Sequence, residues 1–322
     1  MKMKRALALL LCSVLLLLLS ACGGSTPTVP DDDEDGPVID DPTGDSGRNH
    51  TPPQSTEGNV VFRFFGNLQV PDSVNWGDCS LIQLPDGEYI LIDACEGGYE
   101  NYVVQQLKDE GVTHIETAFI SHFHSDHYGG LNSFIDAFGI RTVYIDGIEL
   151  DGSLEWNSNA EPLRGWISAL EAKGLTVKTL LAGDSVSFGE VTVECVFPKA
   201  DTTAATTNDT SNVLLITFKG QRALYTGDLY YSGESVCLQE TDNALLKADL
   251  LKIMHHGANT SGSAEFIQAV SPKVAVAMGN HIMNSLSLGR YAKVGCDVYQ
   301  VWETGDVNVM FDGTEIYVWT AQ

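Results

Sequence analysis

Basic side chains are few. The 322-residue chain has 18 Lys and Arg against 43 Asp and Glu, a formal charge of −25. It therefore lacks the positive track that usually holds long nucleic acid, and polyanions are disfavoured partners. Histidine is sparse, at eight residues. No two cysteines have the CxxC spacing of a structural zinc site. No apolar run, that over 6–19 included, is long enough to cross a bilayer comfortably, and no internal repeat or second boundary divides the large domain.

The N-terminus is the exception to this even texture. Met-Lys-Met-Lys-Arg followed by an apolar run over 6–19 has the charged and apolar regions of a secretory signal, expected to occupy residues 1–21. It ends Leu19-Ser20-Ala21-Cys22-Gly23, which resembles the bacterial lipobox and implies a lipid on Cys22 and a secreted chain anchored to the cell-envelope membrane. Residues 22–58 are Gly, Ser, Thr, Pro and Asp with the acidic run 31–35, and read as a disordered, self-repelling tether. Residues 59–322 are long enough for one large domain, with 14 basic and 34 acidic residues and a charge of −20. Its five cysteines, Cys79, Cys95, Cys195, Cys237 and Cys296, are odd in number and read as buried thiols with at most one or two disulfides.

Apolar runs predict strands at 60–65, 81–84, 89–93, 117–121, 142–145, 191–196, 213–218, 222–225, 250–254 and 274–278, with two more before the C-terminus. Helical spacing appears at 101–110, 130–138, 162–173 and 264–270. Pro85-Asp86-Gly87 and Lys219-Gly220-Gln221 read as hairpin turns. A hairpin opening each half, followed by alternating helices and strands, predicts an α/β fold: two mixed β-sheets face to face with helices outside, a four-layer αββα sandwich.

One segment concentrates the chemistry. Ser121-His122-Phe123-His124-Ser125-Asp126-His127-Tyr128-Gly129-Gly130 holds three of the eight histidines and a carboxylate within six positions at a strand end. In an extended chain His122, His124 and Asp126 fall on one side, and a turn swings His127 toward a second ion. Imidazole with carboxylate suits zinc, manganese or iron rather than calcium.

With Trp76-Gly77-Asp78-Cys79-Ser80-Leu81-Ile82, Leu91-Ile92-Asp93, Asn208-Asp209-Thr210-Ser211-Asn212, Thr226-Gly227-Asp228 and Leu251-Lys252-Ile253-Met254-His255-His256-Gly257 in this order, the chain resembles the metallo-β-lactamase superfamily. Its wording is most similar to the hydrolase domain of ComEC-type competence proteins and to choline-phosphate esterases. The resemblance implies two divalent ions, zinc foremost: His122 and His124 on the first, Asp126 and His127 on the second, and Asp228 bridging. One of His255 and His256 completes the second site, with His255 favoured and the other at the rim, free to hold a substrate oxygen or move a proton. The superfamily's further histidine for the first ion has no counterpart, since no histidine lies between His127 and His255. In that region Asn208 and Ser211 are expected either to contact substrate or to cap a loop. Asp93 is expected to orient a metal-binding imidazole, and His281 to line the cleft.

The implied reaction is hydrolysis by a metal-activated water, with Asp126 or Asp228 accepting its proton. A small or envelope-derived phosphoester is the expected substrate. The alternatives are an extracellular nuclease linked to DNA uptake and a non-catalytic, metal-dependent binding lipoprotein.

Overall fold

The computed structural model of the chain describes residues 48–66, 76–152 and 157–321. The expected signal sequence, Cys22 and the tether as far as residue 47 lie outside the described residues.

The strands are β1 (Arg48–Asn49), β2 (Val60–Phe64), β3 (Ser80–Gln83), β4 (Tyr89–Ile92), β5 (Thr117–Ile120), β6 (Thr142–Asp146), β7 (Thr176–Leu180) and β8 (Ser185–Phe188). They continue with β9 (Val191–Phe197), β10 (Val213–Phe218), β11 (Gln221–Tyr225), β12 (Leu250–Lys252), β13 (Val274–Ala277), β14 (Asp297–Gln300), β15 (Asp306–Phe311) and β16 (Ile316–Ala321). Among the described residues they form two mixed sheets, ordered β1-β16-β15-β2-β3-β4-β5-β6-β7 and β14-β13-β12-β11-β10-β9-β8. Both expected hairpins are present, β3 with β4 and β10 with β11. In the second, Lys219 and Gly220 both have positive φ, 47° and 87°, as a tight two-residue turn requires.

The side-chain period of two sorts apolar residues onto the faces of the second sheet. Leu214, Ile216, Phe218 and Leu250 join the core between the sheets, whereas Leu215, Leu224 and Leu251 belong to a second core with helix Ala264–Val270. Tyr225 reaches across from β11 to Phe62 and Phe64 of β2, at 6.4 and 5.8 Å between ring centres. Full burial of a side chain such as Phe62 contributes about 1.5–3 kcal/mol. On the first sheet's side, helices Glu100–Asp109 and Leu131–Phe138 bury Val103, Leu107, Leu131, Phe134 and Phe138 in the same core. The fold is the expected layered α/β arrangement.

Two differences from the sequence reading have physical causes. Residues 48–58, expected within the tether, are described, and β1 pairs in parallel with β16. Arg48 is the reason: its Nη1 donates to the carbonyls of Lys273 and Gly295 at 2.8 and 2.9 Å, and its Nε lies 3.1 Å from Asp297. Strands β7, β8 and β14 were not expected because their exposed and half-buried residues carry no apolar run. All five described cysteines are free and buried.

Candidate metal centre

Strands β4 and β5 are parallel, as are β11 and β12, and the segments leaving their C-terminal ends meet at one rim of the two sheets. Open α/β sheets place binding sites there because loops from several strands converge. Asp93 follows β4, Ser121 and His122 follow β5, Asp228 lies just past β11, and the histidine pair lies just past β12. Asp78 comes in from the segment before β3. Its backbone N–H donates to the Asp126 carbonyl at 3.0 Å. Gly77 makes this approach possible, because a Cβ there would lie 1.7 Å from the Asp126 oxygen, and its φ of +76° also favours glycine.

Asp126, His127, Asp228 and His256 each offer a ligand atom, and these four atoms lie within 4.8 Å of one another. His127 Nε2 is 3.1 Å from Asp228 Oδ2, and His256 Nε2 is 3.2 Å from oxygens of both Asp126 and Asp228. His122 Nε2 and His124 Nδ1 face each other at 3.1 Å, with the His122 ring 4.2 Å from that of His127. His124 is extended, as expected, but Asp126 sits on a short helix, Ser125–Tyr128, and reaches the cluster from its first turn.

Each central imidazole is oriented by a buried carboxylate on its other nitrogen. Asp93 Oδ2 lies 2.9 Å from His127 Nδ1, and Asp93 also accepts from the Ser121 N–H and hydroxyl at 2.8 and 2.9 Å. Asp78 Oδ1 lies 3.0 Å from His256 Nδ1. This leaves both Nε2 atoms toward Asp228. Behind Asp228 lies Lys252, 2 % exposed, which donates to the Gly227 carbonyl at 2.9 Å, pairs with Asp78 and is 3.5 Å from Asp228 Oδ1.

Charge and hydrogen bonding both suit a cation. Four carboxylates, Asp78, Asp93, Asp126 and Asp228, crowd the cluster against one lysine. Buried Asp228 Oδ1 and His256 Nε2 make no hydrogen bond, although an unsatisfied buried polar atom is costly. Burial pushes His122 well below the usual imidazole value, and neighbouring His127 adds to this. Burial acts the same way on His127 and His256, but Asp228 with Asp93, and Asp228 with Asp78, outweigh it and hold both above the ordinary value. Asp126 and Asp228 are held low despite burial, Asp126 by His256 and His127 and Asp228 chiefly by His127 and His256. The cluster is thus able to bind a metal ion.

One expectation changes. His256, not the favoured His255, has its Nε2 among the four converging atoms; His255 Nε2 is 4.0 Å from Asp228. The strand β12 ends at Lys252, and His255 and His256 both have positive φ, 45° and 57°, so the backbone turns between the two rings. Ser211 is fully buried and its hydroxyl accepts from the Asp228 N–H at 3.0 Å, so it braces the Asp228 turn, as the capping alternative has it. Asn208 is 2 % exposed, with an Oδ1 that has no hydrogen-bond partner. His281 is exposed after β13 and makes no hydrogen bond or ion pair with the cluster. Asp78 and Lys252 also belong to the site, beyond the residues expected from the sequence. A lysine inside the apolar run Leu250-Leu251-Lys252-Ile253 was the available signal.

Comparison with known proteins adds an independent line. The metallo-beta-lactamase superfamily is matched over residues 76–281. The chain is 25% identical over 177 residues to ComE operon protein 3 of Bacillus subtilis (strain 168), covering 55% of this chain and 21% of that protein. It is 39% identical over 74 residues to Competence protein ComA of Neisseria gonorrhoeae, covering 23% and 11%. The chain therefore spans about a fifth or less of the length of these relatives. Among solved structures, the CmlA beta-hydroxylase E377D mutant superposes with a TM-score of 0.51 at 14% identity, over 80% of this chain and 55% of that one, a likeness of fold alone.

Proposed function

The chain belongs to the metallo-β-lactamase superfamily, and on that premise we propose that it is a hydrolase of phosphoesters, acting on a small or envelope-derived phosphodiester or phosphomonoester. The observation that carries this reading is a divided donor set. The Asp126, His127, Asp228 and His256 donors converge on one side, and the His122–His124 pair stands beside His127. Such a set fits two divalent ions, with zinc, manganese and iron all suited to its imidazoles and carboxylates. When bound, they would supply an activated water and neutralise charge on a phosphoryl oxygen.

The chain's own groups do the positioning. Asp93 and Asp78 hold His127 and His256 with Nε2 inward, and Lys252 holds Asp228 from behind. Asp126 is the most exposed carboxylate of the four, at 19%, and is the group placed to take a proton from the attacking water. Asp228, wedged between His127 and His256, is the alternative acceptor. The charge of −25 favours a small ester over a long polyanion. The similarity to two competence proteins supports a second reading, a nuclease acting in DNA uptake. The lipobox-like sequence at Cys22 supports anchoring at the envelope.

The test is metal content together with turnover of bis-p-nitrophenyl phosphate, p-nitrophenyl phosphocholine, nitrocefin and single-stranded DNA. About two metals per chain with ester turnover, and an Asp228→Ala variant reduced by more than about 100-fold, exceeding the usual effect of an outer-sphere partner, support the hydrolase. Bound metal with no turnover would leave the metal-dependent binding lipoprotein, and no metal after supplementation would sink both readings.

A further inference from the structure

The histidine pair leaves one imidazole outside the cluster. His256 is buried, with Nδ1 paired to Asp78 and Nε2 3.2 Å from oxygens of both Asp126 and Asp228. His255 is built differently. Its side chain is 23% exposed, against 6% for His256, and its ring centre lies 5.7 Å away at an angle of 47°. Successive left-handed residues turn the backbone so that the two side chains part.

His255 is also held in place. Its Nδ1 is hydrogen-bonded to the Thr260 hydroxyl, and its ring rests on Tyr230 at 4.8 Å and 57°. Nε2, at 4.0 Å from Asp228 Oδ2, is left directed at the centre without joining it. The Tyr230 phenol is next to buried Asn208, whose Oδ1 has no partner of its own. A rigid imidazole and a phenol therefore stand side by side next to the carboxylate where the donor set converges. Both can donate a hydrogen bond.

We propose that His255 and Tyr230 form a wall of hydrogen-bond donors that binds the non-bridging oxygens of a phosphoryl group, and that His255 is not a metal ligand. The hydroxyl of Thr260 can donate to Nδ1, and the tautomer this selects would carry the ring proton on Nε2, facing the substrate oxygen. This assignment rests on the phosphoester reading. It explains why the chain has two adjacent histidines when the cluster uses one, and why the second is fixed by Thr260 and Tyr230.

The test uses the metal-loaded chain with inorganic phosphate and bis-p-nitrophenyl phosphate as probes. His255→Asn tolerates the left-handed backbone and retains a group at the Nδ1 position, but deletes Nε2. His255→Gln restores a donor near Nε2, and Tyr230→Phe removes only a hydroxyl. In His255→Asn we expect metal content equal to wild type, phosphate affinity lower by about tenfold or more, and KM raised more than kcat is lowered. Part of this should return in His255→Gln, with a smaller loss in Tyr230→Phe. His256→Asn should lose metal. A fall in metal content in His255→Asn matching that of His256→Asn would overturn the proposal, as would unchanged phosphate affinity and KM in both His255→Asn and Tyr230→Phe. Phosphate binding that depends on His255 without turnover of any ester would sustain the wall and sink the hydrolase. Ester turnover indifferent to His255 would do the reverse, and neither binding nor turnover would remove both.

Discussion

Asp78 Oδ1 lies 3.0 Å from Nδ1 of His256, a residue 178 positions later in the chain. The contact joins the segment before β3 in one sheet to the turn after β12 in the other, and it determines which nitrogen of His256 faces Asp126 and Asp228. Carboxylates in this position fix both tautomer and ring orientation.

Asp78→Ala should therefore weaken divalent metal binding by about 10–100-fold, the usual effect of removing such a partner. Competition against a chelator of known affinity measures it. Binding equal to wild type would show that His256 needs no orienting group.

Lys252→Met tests the buried cation. Its loss removes one cationic partner from Asp78 and Asp228, each 2 % exposed, and leaves only the neighbouring imidazoles to offset them; removing one partner of a buried pair costs about 3–5 kcal/mol. Urea unfolding in the presence of a chelator should show that loss, and added zinc should shrink the difference from wild type by replacing the missing positive charge. Equal stability of the two proteins under chelator would refute this account.

The pH dependence of folding has a separate contributor. Asp146, at the end of β6, is pushed up to about 8 by burial and by the nearby Glu149 carboxylate, although it accepts N–H bonds from Ile148 and Glu149 at 2.7 and 3.0 Å. A carboxyl raised in the folded state keeps its proton where the unfolded chain has released it. Its contribution is complete below the ordinary value of 3.8 and is lost progressively as pH rises to about 8. Stability measured by urea from pH 4 to 9 should therefore carry a downward component from this group, and Asp146→Asn should flatten the slope. An unchanged slope in the variant would assign the dependence elsewhere.

Anchoring is tested on the full chain in a bacterial host. The wild type should partition with membranes and Cys22→Ser with the aqueous phase, as loss of an acyl anchor demands. Identical partition of both would end the lipoprotein proposal.

The layered fold and most of the cluster were legible without coordinates, because both rest on local signals. Apolar runs at periods of two and 3.6 marked β2 to β6 and the principal helices, and the crowding of His122, His124, Asp126 and His127 into six positions is itself improbable without a metal. Strands β7 and β8 were not legible because edge strands with exposed faces need no apolar pattern. The first residues of the domain were misread for a related reason: Arg48 docks through backbone carbonyls, which have no sequence signature.

Sequence alone determined the layer order, the charge of −25, and most members of a histidine and aspartate cluster able to bind a metal ion. Tertiary structure decided which member of the His255–His256 pair enters the cluster, and that Asp78 and Lys252 complete its surroundings. The reason is the backbone between β12 and Gly257, where two successive positive-φ residues replace strand alternation, so that facing direction is set by contacts with Asp78, Thr260 and Tyr230 from distant parts of the chain.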